Sequence, residues 1–127
     1  MIKNAFKEAF SPEWLETNIT NPIHELVIIR EIIPWKKIIS RLCRFYDKSH
    51  GAFGKSLRMM TAILIIMKYY RLSDREVVKQ IKENRYIQYF CNVPNMGLQT
   101  FLHHSSLTVL RNRLGEQGIA IIEKEVF

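Results

Sequence analysis

Helix breakers are scarce in this chain: five glycines and four prolines in 127 residues. Alternating valine and threonine runs are rare too, which argues against an all-β fold. Only two cysteines occur, Cys43 and Cys91, far apart and each within an apolar pattern. They read as two reduced, buried thiols of a cytosolic protein rather than a disulfide. The four histidines, His24, His50, His103 and His104, form no zinc-ligand spacing with cysteine, and no Asp/Glu constellation resembles a metal site. The adjacent pair His103-His104 would not share a helix face. There is no P-loop, no G-x-G-x-x-G and no G-x-S-x-G. A catalytic site, a metal or a cofactor is therefore not expected. The N-terminus has no long apolar stretch of the secretory kind, so a cytoplasmic location is expected and the sequon Asn18-Ile19-Thr20 carries no weight. No apolar run reaches the roughly 20 residues of a membrane span.

What remains is ordinary in bulk. Apolar residues make up 47% and charged residues 24%, as in a soluble globular protein of one domain with a real core. The chain is organised around Leu57 to Glu83. From Met59 to Met67 only Thr61 interrupts an apolar run. A helix apolar nearly all round belongs inside a core. Ser73 and Glu76 then supply an S-x-x-E capping box, which starts a second helix after a tight turn. This pairing resembles the first half of a helix-turn-helix unit.

The remaining elements read as helices, giving an all-α, multi-helix expectation around the buried Leu57–Tyr70 helix. Residues 1 to 20 form an N-terminal segment with docking points Phe6, Phe10, Trp14 and Leu15, and Ser11-Pro12 starts a short helix. Residues 21 to 127 form the main helical domain. Asn21-Pro22 opens a helix from Ile23 to Ile33, apolar on several sides and expected to be well buried, with Pro34 ending it. Trp35 to Lys48 is amphipathic, with Lys37, Arg41, Arg44 and Lys48 as a basic stripe whose plainer reading is a solvated face. Ser49 to Gly54 is a loop. Asp74 to Glu83 turns Val77, Val78 and Ile81 inward and Arg75, Lys79 and Lys82 outward. Tyr86 to Cys91 is a short apolar helix, and Asn92 to His104 is a loop long enough to be functional. Ser105 caps a helix from Ser106 to Leu114, which Gly115 stops. Glu116 to Phe127 is helical again, and its uncapped apolar end suggests a fragment.

Lys and Arg outnumber Asp and Glu by 19 to 12, a formal charge of +7. That balance favours an anionic partner, nucleic acid first. Two helices are candidates to touch duplex DNA. One presents Arg75, Lys79 and Lys82. The other presents Ser105, Ser106, Thr108, Arg111, Asn112 and Arg113, with small residues at its start that permit close approach. In a helix-turn-helix the later helix reads bases and the earlier one crosses the backbone, so Arg111 and Arg113 are expected to matter more than Arg75 and Lys79. The plainer reading of Arg111 or Arg113 is an internal salt bridge, for instance with Glu116 or Glu123.

Three stretches in order carry a likeness: Leu72-Ser73-Asp74-Arg75-Glu76-Val77, Asn84-Arg85-Tyr86-Ile87-Gln88-Tyr89-Phe90, and His104-Ser105-Ser106-Leu107-Thr108-Val109-Leu110-Arg111-Asn112-Arg113-Leu114-Gly115. Together they resemble the N-terminal domain of bacterial insertion-sequence DDE transposases. The resemblance spans roughly residues 30 to 127. It departs at Val109-Leu110, where an aromatic usually precedes the arginine, and in the loop before the serine helix. The likeness implies a helical domain for DNA binding and self-association: double-stranded DNA at terminal inverted repeats as partner, a homodimer, and no membrane. In such transposases the nuclease is a downstream RNase H-like domain whose three acidic residues hold two divalent metals. That domain does not appear before Phe127, so no catalytic residue is transferred and no enzymatic activity is expected of the chain. Two other readings compete: a helical interaction module with merely solvated basic faces, and an unrelated helix-turn-helix regulator.

Overall fold

A computed structural model of the chain describes residues 10–45, 57–93 and 104–127. Among these residues the regular elements are all helical: α1 (Pro12–Asn18), α2 (Glu25–Ile32), α3 (Trp35–Leu42) running into a 3-10 turn at Cys43–Phe45, α4 (Leu57–Tyr70), α5 (Asp74–Glu83), α6 (Arg85–Cys91) and α7 (His104–Val126). The loop expected at 49–54 and residues 94–103 of the loop expected at 92–104, together with Phe6, Tyr46 and Lys48, lie outside the described residues; His104 already belongs to α7.

The central helix is α4. Every residue from Leu57 to Ile66 is buried, and Met60, Ala62, Ile63 and Ile66 are sealed completely. Helices α3, α5, α6 and α7 all pack against it. The buried stretch also holds Arg58, a charge that the apolar pattern around it concealed. Its guanidinium lies 3.5 Å from the centre of the Trp35 ring, an arrangement that offsets part of its desolvation. Trp35 in turn donates its indole N–H to the Arg30 carbonyl at 2.8 Å and meets Phe90 edge-on. Arg30 reaches from α2 to α6, donating to the Tyr89 carbonyl at 3.0 Å and to Asn92 Oδ1 at 3.3 Å. Cys91 is fully enclosed, and burial pushes its thiol up to about 12 against the opposing pull of Arg58. Cys43 is the second free thiol, half-buried.

The turn from α4 to α5 closes without glycine. Arg71 takes the left-handed conformation at φ 56°, and Leu72 N–H bonds back to the Met67 carbonyl at 2.8 Å. Ser73 then caps α5, accepting from Glu76 N–H at 3.1 Å while Glu76 Oε1 accepts from Ser73 N–H at 2.8 Å. These bonds hold the Glu76 carboxyl below its usual range. Asn84 alone joins α5 to α6. Its N–H ends the first helix on Gln80, and its side-chain oxygen starts the second by accepting from Tyr86 and Ile87.

Two expectations fail on geometry. Helix α2 starts at Glu25, where His24 Nδ1 accepts from Leu26 N–H at 3.0 Å, not at Ile23. Only Leu26 is buried along it; Ile23 is 77% and Ile32 71% exposed. The helix meets its neighbours along one side, so the isoleucines on its remaining faces stand in solvent. The second failure concerns Ser105, which does not cap a helix beginning at Ser106: α7 already starts at His104. The stop at Gly115 is real, with φ 62° and ψ −170° inside α7, a backbone region that essentially only glycine occupies. The helix then resumes, and Gly118 is buried against Leu114, where an added Cβ would fall 2.6 Å from Leu114 Cβ.

The basic stripe of α3 is partly neutralised within the fold. Glu125, near the end of α7, takes Lys37 at 3.3 Å and Arg41 at 3.1 Å. Lys68 of α4 pairs with Glu123 on the same stretch.

Candidate nucleic-acid interface

Helices α5 and α7 meet at an ion pair. Asp74 is the first residue of α5, just inside the cap. Its carboxylate accepts from Arg111 Nη1 at 2.8 Å and Nη2 at 2.9 Å, a two-pronged contact between the planar groups. Thr108 Oγ1 lies 3.4 Å from the same carboxylate. The Asp74 carboxyl is held below its usual range, chiefly by the Arg111 hydrogen bonds, with the Arg111 charge, Thr108 and His104 adding to the effect and desolvation opposing it. Arg111 is raised correspondingly by Asp74. The internal bridge foreseen for Arg111 thus exists, but its partner is Asp74 rather than Glu116 or Glu123. Asp74 also does more than start a helix.

Position around each helix decides which side chains lie beside this bridge. At about 100° per residue, stepping round α5 away from its buried Val77–Ile81 edge meets Asp74, Val78, Lys82, Arg75 and Lys79 in turn. Stepping round α7 away from its buried Leu107, Leu110 and Leu114 meets Arg111, His104, Thr108, Asn112, Ser105 and Val109 in turn. Asp74 and Arg111 are therefore the seam residues, and the side chains beyond them round each helix turn away from its buried edge. Arg75, Lys79 and Lys82 are exposed on α5; Ser105, Thr108, Val109 and Asn112 are exposed on α7. The exposed cations Arg71 and Arg85 flank α5 at its two ends.

Of the sequence-derived candidates, Arg75, Lys79 and Lys82 are exposed on α5 and Ser105, Thr108 and Asn112 on α7, the two helices that meet at this bridge. Arg111 itself is occupied by Asp74. Ser106 and Arg113 are half-buried and fall outside the outward-facing set. Sequence reasoning left out Val109, an aliphatic side chain 44% exposed among polar neighbours. Its signal was the helical spacing that puts it in line with Ser105 and Asn112. Among the described residues no group of three or more His, Cys, Asp or Glu gathers as for a metal, and no helix is long and apolar enough to cross a membrane.

Residues 13–113 match the model of a family described as a transposase domain, DUF772. A protein of Rhizobium meliloti, "Uncharacterized protein ORF8 in nfe locus", is 32% identical over 101 residues, covering 80% of this chain and 48% of its own length. The chain thus spans about half of that relative. No solved structure matches.

Proposed function

Because this chain belongs to the transposase-domain family DUF772, which supports a role in transposition, we propose that it binds double-stranded DNA at the ends of a mobile element through the face shared by α5 and α7. In this reading Arg75, Lys79 and Lys82 contact phosphates, and the exposed start of α7 enters the major groove. The pair α5–α7 then acts as a helix-turn-helix-like unit, with the earlier helix on the backbone and the later one on the bases. The carrying observation is the Asp74–Arg111 bridge. It fixes the two helices side by side with cations outward on one and small polar groups outward on the other. With Arg111 held by Asp74, this reading assigns the phosphate contacts to α5 rather than to Arg111.

The test is fluorescence anisotropy with a labelled random-sequence duplex at low salt. Replacing Arg75, Lys79 and Lys82 together by Gln should abolish binding while leaving the helical circular dichroism unchanged. Retained affinity in the folded triple variant would overturn the reading. The chain binds and does not cut in this proposal, so supercoiled plasmid incubated with it and magnesium should stay intact.

A second observation favours self-association alongside DNA binding. Ile32 is exposed on α2 at an apolar groove of about 260 Å³ that Ile29, Ile33, Ile65, Tyr69 and Phe127 also border, and Ile28 is exposed one turn earlier on the same helix. Clustered exposed apolar side chains of this kind mark association surfaces. Sedimentation of the wild type against Ile28→Glu with Ile32→Glu decides it: a dimer that becomes a monomer supports this reading, and identical sedimentation removes it.

A further inference from the structure

We propose that Val109 and Asn112 are the specificity residues of this surface, reading neighbouring A·T base pairs in the major groove; the inference rests on the duplex-binding role proposed above. The outward face of α7 carries no available cation in its first turns. Of the two guanidiniums on this stretch of α7, Arg111 holds Asp74 with both terminal nitrogens at 2.8 and 2.9 Å, and Arg113 is half-buried. The commonest guanine contact, a two-pronged Arg or Lys on O6 and N7, is therefore absent from this face. What α7 offers instead is an amide and an aliphatic group. An asparagine amide has the donor–acceptor pair that matches adenine N6 and N7, and an apolar side chain packs on the thymine C5 methyl.

The spacing agrees with the chemistry. Val109 and Asn112 are three residues apart, about 4.5 Å along a helix axis. Successive bases of one strand are about 3.4 Å apart. The two side chains therefore reach adjacent base pairs. Core packing does not account for Val109, which is 44% exposed with Ser105 and Asn112 as its neighbours on the same face. Thr108, exposed beside the seam, has its hydroxyl 3.4 Å from the Asp74 carboxylate.

The experiment uses the 127-residue chain and a random-sequence duplex library. Selection by the wild type should enrich a motif with adjacent A·T pairs, and selection by Asn112→Ala should lose the adenine preference. On the best selected duplex, replacing the contacted thymine by deoxyuridine removes only the methyl group. It should weaken the wild type about ten-fold and leave Val109→Ala unaffected. Replacing the adenine by 7-deazaadenine should weaken the wild type and leave Asn112→Ala unaffected. Duplex binding with a guanine motif, with no motif, or with equal base-analogue penalties in wild type and variants overturns this inference while leaving the phosphate-binding role intact. Absence of any duplex binding overturns both.

Discussion

Arg111 on α7 grips Asp74 at the start of α5 with both terminal nitrogens, joining side chains 37 residues apart in sequence. Both groups keep partial access to solvent, with 37% and 24% of their side-chain surface exposed. The pair should therefore contribute about 1 kcal/mol rather than the several of a buried bridge. A double-mutant cycle of Arg111→Ala and Asp74→Asn should return a coupling of that size by urea unfolding. Its pH dependence has a fixed sign. Because the folded state lowers the Asp74 carboxyl, the stabilisation is present above the ordinary carboxylate value near 4. It is lost as pH falls through the lower folded value. The melting temperatures of wild type and Arg111→Ala should differ at pH 7 and converge in acid. A constant difference down to the lowest pH would mean that the pair contributes through packing alone.

Gly118 is fixed by close approach. A Cβ there would meet Leu114 Cβ at 2.6 Å, and that atom lies next to the helix backbone rather than at the end of a flexible chain. Gly118→Ala should therefore destabilise the domain by about 1 to 3 kcal/mol, although alanine favours helix. Chemical denaturation measures it; an unchanged or raised midpoint would show that the second half of α7 moves away without cost.

Ile63 and Ile66 are sealed within α4, where other helices leave a charge nowhere to reach water. Ile63→Asp or Ile66→Asp should cost several kcal/mol and unfold the domain. Loss of the cooperative transition in circular dichroism is the expected result. Wild-type-like melting of both variants would remove α4 from the core.

The sequence was most legible where one pattern had one meaning. The run from Met59 to Met67 made the central helix plain, and Ser73 with Glu76 marked the start of α5 to the residue. Gly115 announced a break, and the structure has one. Legibility failed where tertiary neighbours decide. The isoleucines of α2 looked buried on every side, but neighbours cover only one. Arg58 sat unnoticed at the edge of an apolar run, its place in the core set by Trp35 from another helix. The surface candidates were found as residue types, while their division into seam and outward face was not. Whether an arginine is engaged depends on a carboxylate far away in sequence, and no periodicity reports that Asp74 meets Arg111. The same limit applied to the stripe on α3, whose Lys37 and Arg41 meet Glu125 from the end of α7.

The most direct measurement is the salt dependence of duplex binding for two paired variants. Binding through phosphates releases counterions, so the slope of log affinity against log salt falls by about 0.9 for each phosphate that is no longer neutralised. Arg75→Ala with Lys79→Ala should weaken binding and flatten that slope by nearly two units, with folding unchanged by circular dichroism. Arg111→Ala with Arg113→Ala should lower stability and leave the slope near its wild-type value, because Arg111 is held by Asp74. The reverse pattern, with the Arg111/Arg113 pair flattening the slope and the Arg75/Lys79 pair leaving it unchanged, would contradict the assignment of the phosphate contacts to α5.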